Sequence, residues 1–136
     1  APLMPVPHTQ VRIDDRFWAP RLHTNRERTI PHCLERLEQA GTLSNFERVA
    51  RGERGGARGP VFADSDVYKT IEAIASAIAG APEPALERRM NALVQLVSLA
   101  QRPDGYLHTH NQLASRPPFG NLRDHHELYC AGHLFE

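Results

Sequence analysis

The densest group of polar side chains in the sequence runs from Asp124 to Glu127, and Cys130 and His133 lie shortly after it. His126-Glu127 looks like the beginning of a zinc-protease helix, but that motif requires a second histidine four residues after the first. Cys130 occupies that position. Two interpretations stay open: His126, Cys130 and His133 share a helix face and bind zinc, or Cys130 is a small buried hydrophobic residue beside hydrogen-bonded histidines. We favour the second, because three ligands on one helix rarely complete a metal site alone.

A second polar group, Asp64-Ser65-Asp66 with Lys69, precedes an apolar periodic segment. Its side chains could bind sugar hydroxyls, or they could cap a helix and complement its dipole, and spacing alone favours capping. Tyr106 comes directly after Pro-Asp-Gly and is either packed or presented to a ligand; the residue types favour a simple turn. None of these groups supplies the two carboxylates that hydrolysis of a glycosidic bond usually needs. No catalytic residue is therefore assigned in this sequence.

The elements that would position these residues are helices. Helix formers fill residues 20–40, where Pro31 should kink the run or start a new helix, and Gly41 is the expected stop. Apolar residues recur at helical spacing over 67–78 and again over 86–100.

Loops and a last helix complete the predicted pattern. Residues 50–61 contain four glycines and are predicted to form a loop, whereas Val11-Arg12-Ile13 alternates like a short extended segment. The last helix should begin near Leu122. The sequence thus predicts an all-α fold with about four amphipathic helices.

Composition sets limits on the class of protein. The 136 residues suit one domain, with 40% hydrophobic and 24% charged residues. Sixteen basic and sixteen acidic side chains give a net charge of zero, which offers no reason to expect nucleic acid or an anionic membrane as partner. No run approaches the ~20 apolar residues that span a bilayer. Without an intact signal peptide and with two cysteines, the expected location is cytoplasmic.

Taken together, the motifs resemble glycoside hydrolase family 127, the β-L-arabinofuranosidase family. The matching segments occur in the family's order and extend over nearly the whole chain: Val11-Arg12-Ile13 with Phe17-Trp18, Val61-Phe62-Ala63-Asp64-Ser65-Asp66-Val67-Tyr68-Lys69, Gln101 with Asp104-Gly105-Tyr106-Leu107, Arg116-Pro117, and His126-Glu127-Leu128-Tyr129 with Gly132-His133.

The resemblance implies an (α/α)6 toroid followed by β-sandwich domains, with residues 1–136 as an N-terminal fragment of the catalytic domain. It also implies a retaining exo-hydrolase that removes a terminal L-arabinofuranose from an oligosaccharide or glycan. In that family a zinc-bound cysteine thiolate is the nucleophile, and a glutamate is the acid/base. Those residues and the zinc ligands are expected beyond Glu136, so no metal ligand is assigned here and the fragment alone should be inactive.

The resemblance assigns substrate-binding positions. His126 matches a histidine that hydrogen-bonds a sugar hydroxyl, and Asp64 and Asp66 match an acidic helix start that faces the cavity. Glu127 matches the same motif as His126, and Tyr106 is a further candidate. Two alternatives stay open: a helical interaction or scaffold module, and another (α/α)-barrel enzyme that degrades polysaccharides. Exposed apolar helix faces could also support self-association.

Overall fold

The computed structural model describes residues 3–136, and within this range the regular structure is entirely helical. The all-α prediction is therefore confirmed. A short 3-10 turn, His8–Gln10, precedes the first α-helix, and Val11-Arg12-Ile13 has no regular structure. The α-helices are α1 (Trp18–Thr24), α2 (Ile30–Ala40), α3 (Thr42–Ala50), α4 (Asp64–Gly80), α5 (Pro84–Ala100), α6 (Thr109–Leu113), α7 (Leu122–His125) and α8 (Glu127–Phe135).

The run predicted over residues 20–40 is divided in two. A π-helical turn, Asn25–Thr29, joins α1 to α2. Pro31 lies in the first turn of α2, where its missing N–H would have no intrahelical partner, so the new-helix alternative is the observed one. Gly41 ends α2 with φ of 78°, as expected. A side chain there would also overlap Arg58, so both conformation and space require glycine.

Helix α3 is an addition to the predicted pattern. It begins immediately after Gly41 and buries Asn45 and Phe46. The Asn45 amide then holds the next loop, since its Nδ2 donates to the Arg58 carbonyl and its Oδ1 accepts from the Arg58 N–H, both at 2.9 Å. The glycine-rich loop therefore begins only after Ala50.

The core forms around α4. This helix contacts α2, α3, α5 and α8, and α5 runs back along it after a short turn. Burial of the predicted apolar stripes explains the pairing, because apolar faces at helical spacing must cover one another. Paired helices of this kind form part of an (α/α) toroid. The core residues include Ile30, Leu34, Phe46, Val67, Ile74, Leu86 and Leu93.

The last predicted helix is broken. Helix α7 ends after His125, His126 adopts a left-handed conformation with φ of 55° and ψ of 26°, and α8 begins at Glu127. The Asn121 side chain caps α7 by accepting a hydrogen bond from the Asp124 N–H at 3.1 Å. Among the described helices, none has both the length and the apolar character needed to cross a bilayer.

Candidate functional site

His126 lies at the surface where α8 begins. Its side chain is exposed, and its ring packs edge-to-face against Phe62 at 5.6 Å and Tyr129 at 6.3 Å between centroids. Phe62 belongs to the turn that leads into α4, whereas Tyr129 lies in the first turn of α8. Because α4 and α8 pack together, residues from distant parts of the sequence meet at this point.

Polar groups from α4 extend this surface. The Lys69 ammonium donates hydrogen bonds to the Tyr129 hydroxyl at 2.7 Å and to Ser65 Oγ at 3.2 Å, and it lies 3.6 Å from Asp66 Oδ1. The hydrogen bond between Lys69 and Tyr129 raises the pKa of Lys69 and lowers the pKa of Tyr129. We call Phe62, Asp66, Lys69, His126 and Tyr129 the exposed cluster.

The exposed cluster presents hydrogen-bond donors and acceptors beside aromatic rings. Asp66 and Tyr129 are about half exposed: 51% of the Asp66 side chain and 45% of the Tyr129 residue are accessible. Since Lys69 donates to the Tyr129 oxygen, the Tyr129 proton is free to be donated elsewhere. Carboxylate, imidazole and hydroxyl groups beside aromatic edges can together accept from and donate to sugar hydroxyls.

Glu127, next to His126 in sequence, points the opposite way. It is 2% exposed, and its Oε1 accepts hydrogen bonds from the Tyr106 hydroxyl at 2.5 Å and the Phe119 N–H at 2.8 Å. Burial would raise the pKa of Glu127, but these two donors and the nearby Asn111 amide outweigh it and hold the pKa below its ordinary value. Glu127 therefore holds a buried negative charge at neutral pH.

The capping interpretation of Asp64 is wrong. Asp64 is the first residue of α4 rather than its cap, and no side chain caps that helix end. Instead, its carboxylate is 1% exposed and accepts from the Thr109 N–H at 2.6 Å and the Thr109 hydroxyl at 2.5 Å. The acidic start of α4 thus ties that helix to the start of α6, because Thr109 is the first residue of α6.

The predicted site residues divide into exposed and buried sets. His126 and Asp66 lie in the exposed cluster, whereas Asp64, Tyr106 and Glu127 are buried. An enzyme pocket would bring His126, Asp64 and Tyr106 together on one concave side, but within residues 3–136 His126 is exposed whereas Asp64 and Tyr106 are buried. Direct contact with a sugar stays a prediction for Asp64, Tyr106 and Glu127. In the structure Asp64 accepts hydrogen bonds from Thr109, and Tyr106 donates one to Glu127.

Phe62 and Tyr129 belong to the motifs that carry the resemblance but were not among the candidate binding residues, and Lys69 was considered with the acidic start of α4 without being assigned. Lys69 carried a usable signal, because it lies four residues after Ser65 and three after Asp66 on one helix face. Nothing local in the sequence indicates that Tyr129 lies beside Lys69, sixty positions earlier.

Cys130 fits the hydrophobic interpretation rather than a metal ligand. It is fully buried, its thiol lies 3.8 Å from the Phe62 carbonyl, and burial raises its pKa to about 12. Cys33 is exposed and distant in sequence. Across residues 3–136, no three His, Cys, Asp or Glu side chains are grouped to hold a metal ion. The described residues therefore offer no zinc site of their own, and the zinc ligands that the resemblance places beyond Glu136 stay a prediction.

The structure is one of paired helices, with a polar and aromatic cluster where α4 and α8 begin. The sequence of the chain matches the model of the β-L-arabinofuranosidase, GH127 catalytic domain over residues 10–136. The chain therefore belongs to glycoside hydrolase family 127, and the resemblance drawn from its motifs is confirmed.

Individual relatives agree with this assignment. Over 95 residues the chain is 42% identical to a non-reducing end β-L-arabinofuranosidase from Bifidobacterium longum subsp. longum, a match that covers 65% of the chain and 14% of that relative. A β-L-arabinofuranosidase crystal structure from Geobacillus stearothermophilus T6 superposes with a TM-score of 0.86 at 36% identity, covering 91% of this chain and 21% of that one. A second family 127 β-arabinofuranosidase structure gives 0.84 at 34% identity, covering 95% and 22%.

Proposed function

We propose that these residues form part of the sugar-binding surface of a retaining exo-hydrolase that releases terminal β-L-arabinofuranose. The observation that carries the proposal is the exposed His126, which occupies the position of the family's sugar-binding histidine and packs beside Phe62 and Tyr129. The chain spans between about one seventh and one fifth of the relatives that it matches. The chemical step is accordingly assigned to other parts of the relatives' catalytic domain.

The exposed cluster would act by binding and orienting the sugar. The His126 imidazole can accept a hydrogen bond from one hydroxyl and donate to another, and the Tyr129 hydroxyl can donate while Lys69 holds its oxygen. Asp66 supplies an acceptor that is open to solvent. Such contacts bind substrate and transition state alike unless they tighten during reaction, so their loss should change mainly KM.

Zinc and the catalytic groups remain part of the proposal for the full-length enzyme. A zinc ion would lower the pKa of a coordinated thiol and keep its sulfur deprotonated. The 136-residue chain itself should neither bind zinc at a structural site nor hydrolyse a glycoside. Self-association also stays a prediction, motivated by exposed apolar side chains such as Leu99 and Phe135, which are 63% and 84% exposed.

The test compares the full-length protein that contains these residues with the purified 136-residue chain. The full-length protein should release L-arabinose from an aryl β-L-arabinofuranoside and lose this activity when a chelator removes zinc, whereas the 136-residue chain should be inactive. Hydrolysis by the short chain would contradict the proposal. A full-length protein without glycosidase activity would favour the scaffold alternative.

A pair of variants tests the binding surface itself. In the full-length protein, His126→Ala should lower kcat/KM by roughly tenfold through KM, the expected loss for one hydrogen bond of about 1.5 kcal/mol. His32→Ala is the matched control, because His32 is an exposed histidine on α2, outside the exposed cluster. Equal activity of the two variants would rule out a sugar-binding role for His126.

A further inference from the structure

The backbone at His126 is held in a conformation that side chains disfavour. Its φ of 55° lies in the left-handed region, where the Cβ of an L residue approaches the next carbonyl oxygen. A residue other than glycine keeps such a conformation only where the surrounding structure fixes it, and such residues are concentrated at functional sites. Contacts from neighbouring groups must therefore stabilise this left-handed conformation.

The Glu127 carboxylate makes contacts that can stabilise the turn at His126. Its Oε1 accepts hydrogen bonds from the Tyr106 hydroxyl and the Phe119 N–H, at 2.5 and 2.8 Å, so it joins the start of α8 to two separate loops. The rings of Tyr106 and Phe119 also pack edge-to-face at 5.5 Å, which keeps both donors in place. The His126 carbonyl accepts from the Cys130 N–H at 3.0 Å, which is the first hydrogen bond of α8. The backbone of His126 is thus fixed by its immediate neighbour.

We propose that Glu127 is a positioning residue, whose buried carboxylate holds the left-handed turn at His126 and so presents the imidazole to the sugar. The proposal rests on the proposed function, because it requires His126 to contact substrate. The two neighbours face opposite ways: Glu127 faces inward and is 2% exposed, and His126 faces outward beside the rings of Phe62 and Tyr129. Moving the carboxylate would therefore move the imidazole relative to Phe62 and Tyr129.

The geometry distinguishes two substitutions at Glu127. Only Oε1 makes hydrogen bonds, while the buried Oε2 has no partner among the described residues. Glu127→Gln keeps a carbonyl oxygen that can accept from both donors, whereas Glu127→Ala removes the acceptor. The glutamine variant should therefore retain most of the function that the alanine variant loses.

The experiment measures steady-state kinetics of the full-length protein carrying Glu127→Ala, Glu127→Gln, His126→Ala or the Glu127→Ala/His126→Ala pair. Glu127→Ala should lower kcat/KM by roughly tenfold, mainly through KM, and Glu127→Gln should remain within about threefold of the parent. If Glu127 acts through His126, the double variant should be no less active than His126→Ala alone. Leu93→Ala serves as a stability control, since Leu93 lies in the core at 5% exposure, and its effect should be independent of His126.

The outcomes separate this proposal from the one on which it rests. If His126→Ala impairs the enzyme and Glu127→Ala has its full effect in that background as well, the positioning role is overturned while the sugar-binding role stands. A Glu127→Ala variant with the parental KM would also overturn the positioning role of Glu127. If His126→Ala itself has parental activity, the sugar-binding proposal fails first. Should Glu127→Ala not fold, Tyr106→Phe removes one of the two donors and is expected to raise KM with the same dependence on His126.

Discussion

Replacing Asp64 with asparagine tests the carboxylate that the structure places inside the core. Asp64 is 1% exposed, and only Thr109 donates hydrogen bonds to it among the described residues. Burial raises its pKa to about 6, although the two bonds from Thr109 act in the opposite direction. Asparagine has the same shape: its oxygen can accept from the Thr109 N–H, and its amide can donate to the Thr109 hydroxyl. The substitution therefore removes the charge with little change in packing.

The effect of Asp64→Asn on the free energy of unfolding should depend on pH, and the raised pKa of Asp64 sets the sign of this dependence. Unfolding returns the carboxyl from a pKa of about 6 to its ordinary value of 3.8. A raised pKa contributes stability that is fully present below pH 3.8 and is lost as the pH rises through 6. At about 1.4 kcal/mol per pKa unit, the full change is about 3 kcal/mol. The neutral asparagine has no such dependence.

Urea unfolding of both chains between pH 3.5 and 7.5 provides the measurement. The free energy of unfolding of the parent minus that of Asp64→Asn should fall by about 3 kcal/mol as the pH rises across this range, because titrations shared by the two chains cancel. Asp124→Asn is the control: Arg123 and Asn121 lower the pKa of that exposed carboxyl, so its difference should not fall with pH. A flat or rising difference for Asp64→Asn would refute the reasoning.

Three further predictions concern other buried or constrained groups. Burial lowers the pKa of His108 to about 4, so its contribution to stability is present above pH 6.5 and is lost as the pH falls through 4. In urea unfolding, the free energy of the parent should therefore fall by up to about 3 kcal/mol over this range relative to that of His108→Asn. In urea unfolding, Gly41→Ala should destabilise the chain by more than about 1 kcal/mol, because the φ of Gly41 is 78°. The matched substitution Gly132→Ala lies on an open face of α8 and should stabilise the chain by up to about 1 kcal/mol. A thiol reagent should label only Cys33 in the folded chain and both cysteines in urea, and labelling of Cys130 at the same rate as Cys33 would contradict its burial.

The helices that could be predicted are those whose burial is periodic along the chain. Helices α4 and α5 each have one apolar stripe, and Val67, Ile74, Leu86 and Leu93 all enter the core as expected. Helix α3 was missed although Leu43, Phe46 and Val49 recur at helical spacing and pack in or against the core, because it is short and begins directly after Gly41, a residue that normally marks a helix end. A glycine that ends one helix does not indicate whether a second helix begins at the next residue.

The contacts between distant residues could not be predicted from local patterns. Aspartate is a residue type that often caps helices, so the local sequence favours that role for Asp64. Nothing near it in the sequence indicates that Thr109 donates hydrogen bonds to both of its carboxylate oxygens. The same applies to Tyr106, whose hydroxyl bonds a carboxylate 21 positions later. Resemblance to a family indicated that these residues matter, but only the packing of α4, α6 and α8 shows what they contact.

The break at His126 explains how one short motif serves both the core and the surface. Within α8, Glu127, Cys130 and Leu134 are spaced by three and four residues and face the core. A continuous helix through this point would place His126 on the same side as Cys130, four residues later, which is also the arrangement that the zinc interpretation requires. The left-handed turn removes His126 from that face and brings its ring to Phe62 and Tyr129 instead. The break therefore places His126 at the surface instead of in the core, and in our proposal the buried Glu127 holds it there.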